Sequence, residues 1–317
     1  MTGTAPKVAV ITGPTATGKT ALGVLLAEYL GGEIVSADSM QVYRRMDIGT
    51  AKVTPEEMRG IPHHMIDVAD PSENYSVARY VKEADICIND ILNRGKLPII
   101  VGGTGLYIDS LVAGRSFDEN ASDESLRKLL DEKYKAAGGE AMLRELAQVD
   151  PERAQKLHPS DKKRILRALE VYYTTVRTIS EHDEETRKIP PKYDAMVIAL
   201  TFENRADLYG RIDRRADLML KSGLFDEVRS LLDSGVSPDC TSMQAIGYKE
   251  AAMAIRGEIS EDEAAELIKR ESRRYAKRQL TWLRRKENIK WIIWKFEPDL
   301  EYARHISTQF FISNGLK

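Results

Sequence analysis

The chain has 317 residues, with 47 Lys and Arg against 49 Asp and Glu, a formal net charge of −2. That balance excludes a protein drawn to nucleic acid or membrane by its overall field, so any polyanion must meet a local patch. A hydrophobic fraction of 42% beside 30% charged residues excludes a disordered chain and supplies core for one large domain or two smaller ones.

Val8–Thr12 reads as a buried strand, short and β-branched, ended by Gly13. Lys19–Leu30 places Leu22, Leu25, Leu26 and Leu30 at helical spacing, and Gly31-Gly32 closes that helix. Glu33–Ala37 is a second short strand running into Asp38. Tyr75–Asn93 has helical periodicity, and Pro98–Val101 is a third strand, ended by Gly102-Gly103-Thr104-Gly105. Strand, helix and strand at these lengths predict a parallel sheet with crossover helices. The texture changes near Gly114. Ser122–Thr175 carries helical patterns with starts at Asp150-Pro151 and Pro159-Ser160. Charges crowd Glu181–Lys192, and Pro190-Pro191 breaks any helix there. Ala195–Leu200 returns to strand, and Ile289–Trp294 is the last one expected. The reading is an α/β core over residues 1–115 and 193–317, interrupted by an all-helical insertion at 116–192.

Cys87 and Cys240 form no C-x-x-C pair, which fits a reducing compartment and excludes a cysteine-rich zinc module. The apolar run from Val8 stops at Gly13, so neither a signal peptide nor a membrane span of ~20 residues is expected. A cytoplasmic protein without membrane contact follows.

"GPTATGKT", Gly13 to Thr20, fits G-x-x-x-x-G-K-T. Glycines let the backbone curl and turn its N–H groups inward, and the helix beginning near Lys19 adds its positive end. Lys19 contributes a full charge, and the Thr20 hydroxyl can ligate Mg²⁺. The loop Gly13, Pro14, Thr15, Ala16, Thr17, Gly18, Lys19 and Thr20 therefore binds a di- or triphosphate, without fixing the reaction. An ATPase of this loop type carries an Asp after an apolar strand; "LPIIVGGTGLY" offers glycines and Thr104 instead. A carboxylate follows the other strand, in "GGEIVSADSMQVYR". Asp38 would emerge at the carboxyl edge of the sheet beside the phosphate loop, as metal ligand or base, or as a plain turn residue.

"KRESRRYAKRQLTWLRRK", Lys269 to Lys286, has nine Lys or Arg and one Glu in eighteen residues. On a helix this gives a cationic outer face over an apolar one, with Tyr275 and Trp282 interleaved as base platforms for RNA. A salt-bridged surface helix is the plainer alternative, weakened by the scarcity of acids nearby. "DKKRILR" and "RIDRR" add two smaller basic clusters. His63-His64 has no third ligand near it and reads as loop or core. Leu218, Met219, Leu220 and Leu224 read as core packing.

In order, "GPTATGKT", "SADSMQVYR", "DIGTAK", "IPHHMID", "VGGTGLY", "RILRALEVY", "RIDRRADLML", "QAIGYKE" and "AKRQLTWLRR" resemble bacterial tRNA dimethylallyltransferase, the tRNA isopentenyltransferase family. The resemblance implies transfer of a dimethylallyl group from dimethylallyl diphosphate to N6 of the adenosine on the 3′ side of the anticodon, in tRNAs reading codons that begin with U. It implies a P-loop core, Mg²⁺ on Thr20, and a loop that holds the diphosphate leaving group. It makes Asp38 the general base and places Thr104 and Arg215 at the reacting centre. It implies tRNA contacts by Asp38, Ser39, Met40, Gln41 and Thr104; by Arg127, Lys163, Arg164 and Arg167; by Gln244, Gly247 and Lys249; and by Lys277, Arg278, Gln279, Trp282 and Arg284. The helical insertion would clasp the anticodon stem-loop. Met40 and Met65 stand where many relatives carry other apolar residues. No C-terminal zinc finger follows the last strand, which implies the bacterial type, and a monomer is expected. A P-loop kinase for a small hydroxylated substrate, and a non-catalytic RNA-binding switch, are the alternatives.

Overall fold

The computed structural model describes residues 5–115 and 123–316; the expected start of the insertion at residue 116 and of its helices at Ser122 lies outside them. Contacts divide the chain into two compact units, residues 1–114 with 192–317, and residues 115–191.

In the first unit β1 (Lys7–Thr12) leads into α1 (Lys19–Leu30), then β2 (Gly32–Ser36), a single turn α2 (Pro55–Met58) and the two-residue β3 (His63–His64). After these come α3 (Val77–Asn93), β4 (Leu97–Val101) and α4 (Gly105–Ala113). The second unit holds α5 (Glu124–Val149), α6 (Pro151–Ala154), α7 (Lys162–Thr175) and α8 (Ile179–Lys188). The chain then returns to the first unit as β5 (Asp194–Phe202), α9 (Arg205–Lys221), α10 (Leu224–Asp233), α11 (Tyr248–Ile255), α12 (Glu261–Leu283), β6 (Ile289–Trp294) and α13 (Leu300–Ser313).

The six strands form one parallel sheet in the order β3-β2-β4-β1-β5-β6. Val8, Val10, Val35 and Ile100 enter the core on one face, while Ala9, Ile11, Ile34 and Ile99 enter the core on the other. Both faces are covered, which is why these strands read as unbroken apolar runs rather than alternating ones. Parallel strands bring the loops after β1, β2 and β4 to one edge. There Gly102 donates its N–H to the Ile11 carbonyl and Thr104 donates to the Ala37 carbonyl. A Cβ on Gly102 would stand 2.2 Å from the Ala37 oxygen, so only glycine lets the ends of β2 and β4 meet this closely.

His63 and His64 are structural. Nε2 of His64 lies 2.8 Å from the buried Glu33 carboxylate, and Nδ1 of His63 lies 2.8 Å from the Ile61 carbonyl. Arg94 and Lys96 also bind Glu33, and their bonds hold its carboxyl far below the usual range. The second unit has its own core, from Leu130, Met142, Leu146, Ile165 and Leu169. Its α7 begins at Lys162 behind Asp161, two residues later than Pro159-Ser160 led one to expect.

Candidate functional site

The phosphate loop is held from outside. The Ala16 carbonyl accepts from Arg211 at 3.2 Å, and the Thr17 carbonyl accepts from the Trp294 indole at 3.1 Å. The Pro14 carbonyl accepts both the Thr17 hydroxyl and the Lys19 ammonium at 2.8 Å. With these carbonyls occupied and Gly18 in the left-handed conformation, φ 88°, the loop curls around the N-terminus of α1. Thr15 departs from the expected pattern: its N–H, instead of facing an anion with the rest of the loop, donates to Gln279 Oε1 at 3.0 Å.

Across from the loop, Arg215 on α9 is half-buried, and no carboxylate of the described residues pairs with it. One guanidinium nitrogen reaches the Thr50 carbonyl at 3.4 Å, and among the described residues Nε has no hydrogen-bond partner. Burial pushes its pKa down, against the pull of Asp38 and Glu57. Burial and then the Arg215 charge lower Lys19 to about 7, with Asp38 opposing. Two desolvated cations beside one carboxylate make a pocket of positive potential that an anion would relieve.

Asp38 sits just past the end of β2. Its Oδ1 accepts the N–H of Met40 at 2.9 Å and of Gln41 at 3.3 Å, a turn that locks the carboxylate in place. Among the described residues nothing donates to Oδ2. Thr104 Oγ1 accepts the Ser39 N–H at 3.0 Å, pinning the loop after β2 to the loop after β4. Gln41 spends its amide inside the fold, on the Thr50 and Ala51 carbonyls at 3.3 Å.

Two cavities open on these groups. One, of about 1070 Å³, runs along the outer side of the phosphate loop past Lys52, Arg211, Arg214 and Arg215. The other, of about 330 Å³, holds Asp38, Ser39, Met40, Gln41, Gln244, Arg278 and Tyr275. Burial and the nearby Asp38 charge push the Tyr275 hydroxyl up to about 12.

The basic helix α12 is more heavily paired than its local sequence predicts. Lys269 meets Asp217, Arg273 meets Asp213, and Lys286 meets Asp109; all three acids lie on other helices. Arg270 and Arg274 share Glu271. Lys277, Arg278, Arg284 and Arg285 are exposed and make no ion pair with any described residue. Gln279 and Trp282, expected among the RNA contacts, turn inward. Gln279 is buried and donates to the Gly103 carbonyl at 2.9 Å. Trp282 donates its indole N–H to Asp109 at 2.9 Å and lies against Gly105.

Lys249 is exposed, whereas Gly247 is buried, starting α11 with φ 100° and its N–H on Glu250. In the second unit Lys163 and Arg164 are exposed on α7, while Arg127 and Arg167 both bind the buried Glu170 at 2.9 Å.

In sequence the loop 47–52, "DIGTAK", carries a resemblance but no role. Its backbone N–H groups at Asp47, Ile48 and Gly49 all donate to Glu227 on α10. So held, it walls both cavities and offers the Thr50 carbonyl to Gln41 and Arg215. Nothing local to Glu227 signals that duty.

For a metal, the donor set is sparse. Among the described residues no three His, Cys, Asp or Glu side chains gather to hold an ion. Thr20, exposed at the first turn of α1 and lining both cavities, fits a Mg²⁺ ion that takes its other ligands from phosphate oxygens and water. Among the described residues no helix is long and apolar enough to cross a membrane.

The family described as IPP transferase matches residues 41–286, and isopentenyl transferase matches residues 6–72. The tRNA dimethylallyltransferase of Acetivibrio thermocellus is 49% identical over 285 residues, 90% of this chain and 91% of that protein. The solved tRNA isopentenylpyrophosphate transferase of Bacillus halodurans superposes with a TM-score of 0.72 at 43% identity, covering 98% of this chain and 96% of that one. A solved eukaryotic dimethylallyltransferase acting on tRNA gives a TM-score of 0.82 at 32% identity, covering 98% of this chain and 80% of the other.

Proposed function

The chain belongs to the IPP transferase family, and from that premise we propose that it transfers a dimethylallyl group from dimethylallyl diphosphate to N6 of the adenosine 3′-adjacent to the anticodon, in tRNAs reading codons that begin with U. The observation that carries the chemistry is the placement of Asp38 with two half-buried cations, Lys19 and Arg215, around connected cavities. The cations suit a leaving diphosphate, and the carboxylate suits an incoming amine.

The reaction divides among these residues as follows. The N6 lone pair forms a bond to C1 of the dimethylallyl group while the C1–O bond breaks. The electron pair of that bond leaves on the diphosphate. Lys19, Arg215 and the inward N–H groups of the loop stabilise the charge developing there. Asp38 takes the proton released from N6 on Oδ2, because Oδ1 is already committed to two backbone donors. Thr104 holds the Asp38–Ser39 turn at the reacting centre. Thr20 would hold Mg²⁺ with diphosphate oxygens, and the ion supplies further neutralisation of the leaving group. The adenosine must leave its stack to reach Asp38, and Ser39, Met40 and Gln244 line the cavity that would receive it.

The exposed cations of α12 support a tRNA backbone contact, as do Lys249 on α11 and Lys163 and Arg164 on α7. Arg127 and Arg167, in the helical unit, are likewise proposed to contact tRNA. The chain would act in the cytoplasm, where its tRNA substrate lies.

The test is transfer of labelled dimethylallyl groups to an anticodon stem-loop with and without the target adenosine. Label should enter only the adenosine-bearing RNA. Asp38→Asn should lower turnover by about 10²–10⁴-fold with RNA affinity unchanged. Turnover near wild type in that variant, or label in the RNA lacking the adenosine, would overturn the assignment.

A further inference from the structure

The two cavities meet at a neck. Among the described residues four line both: Lys19, Thr20, Arg215 and Met219. Three of these are polar groups suited to phosphate oxygens or a metal. Met219 is the apolar one, half-buried on α9 one helical turn beyond Arg215, so both side chains point to the same side of the helix. A carbon chain whose diphosphate rests on Lys19 and Arg215, and whose C1 must come within reach of an amine at Asp38, has to cross the neck.

We propose that Met219 is the side chain against which the transferred hydrocarbon lies, and that it limits that hydrocarbon to five carbons. This rests on the prenyl-transfer reading above. Each methylene buried against it is worth about fourfold in affinity. The cavity of about 330 Å³ beyond the neck must hold a purine as well as the chain, so the two share a limited space and the side chain at the neck bears on how much hydrocarbon can pass. The thioether is unbranched and adaptable, and it can follow a branched C5 group as C1 moves from oxygen to nitrogen.

The experiment measures kcat/KM for dimethylallyl diphosphate and for geranyl diphosphate, its ten-carbon homologue, with an anticodon stem-loop as acceptor. Wild type, Met219→Ala and Met219→Phe are compared, and binding of inorganic diphosphate is measured alongside. Met219→Ala should reduce the preference for the five-carbon donor by about 100-fold, the scale on which a hydrophobic pocket discriminates by size. Met219→Phe should lower kcat/KM for dimethylallyl diphosphate at least about tenfold while inorganic diphosphate binds as in wild type. The Phe variant, which keeps apolar bulk on the helix, decides the matter should the Ala variant fail to fold. A preference unmoved in Met219→Ala, or wild-type turnover in Met219→Phe, overturns the role of Met219 alone. Absence of any transfer by the wild-type protein overturns the prenyl-transfer reading with it.

Discussion

Raising the pH from 7 to 9 should weaken the binding of dimethylallyl diphosphate in the absence of tRNA, because Lys19 has to regain a proton to meet it. In the free protein, burial and the Arg215 charge set Lys19 at about 7. A multiply charged anion against the ammonium restores it to its ordinary 10.5 or above. The ligand's own last proton is gone near about pH 6, so it does not titrate in this range. At pH 8 about one free molecule in ten carries the Lys19 charge, so apparent affinity lies about tenfold below its low-pH plateau. At pH 9 the deficit is about a hundredfold, each decade being about 1.4 kcal/mol. Titration calorimetry at pH 8 in two buffers of different ionisation heat should report uptake of about 0.9 proton per ligand bound. Lys19→Arg keeps a permanent charge and should show no uptake and a flat profile. Affinity constant from pH 7 to 9 in the wild type, or uptake that persists in Lys19→Arg, would refute the reasoning. The ligand-free fold responds in the opposite sense. Between 7 and 10.5 the unfolded chain holds the Lys19 proton and the folded chain does not, so stability should rise with pH across that window and be insensitive to this group below it. Thermal melts of wild type against Lys19→Met should show that rise only in the wild type.

Two further outcomes are expected. Replacing Arg278 and Arg284 together with Ala should weaken tRNA binding and lower the slope of log affinity against log salt by about 1.4–1.8, since both are exposed and make no ion pair with any described residue; an unchanged slope in a filter-binding series would show that α12 is only a solvated face. Gly105→Ala should cost about 1–3 kcal/mol in denaturant unfolding, because its Cβ would stand 2.4 Å from the Trp282 ring and force α12 outward; full stability in that variant would mean the packing of α12 on α4 is loose.

The phosphate loop and the helix after it were legible because their signals are local. Gly13, Gly18 and Lys19 occupy fixed offsets, and α1 ends where Gly31 allows it. The burial of β1, β2 and β4 was legible from unbroken apolar runs. The place of Asp38 followed from a rule of parallel sheets, that chain leaving a strand's carboxyl end reaches the ligand edge.

What local pattern could not convey was which face of one element meets which face of another. The charge count of α12 suggested too few acids to neutralise it, yet Asp109, Asp213 and Asp217 arrive from α4 and α9, more than fifty residues away in sequence. Trp282 looked like a base platform by type, and Gln279 stood among the tRNA contacts that the resemblance implied. Packing against Gly103 and Gly105 makes them internal, and leaves Arg278, on the same helix, at the mouth of the cavity. Glu227 carries no motif, and Met219, inside "RIDRRADLML", reads in sequence only as core packing. One became the anchor of the loop 47–52 and the other the apolar lip of a neck only when α9 and α10 docked on the sheet. The sequence alone determined the local chemistry, a curled loop for phosphates and a carboxylate at a strand's end, because backbone geometry and residue spacing act over a few residues. Tertiary structure alone decided which cations are spent on ion pairs, which are left partly desolvated without one, and which apolar side chain stands beside them, because burial is a property of surfaces that meet only in the folded chain.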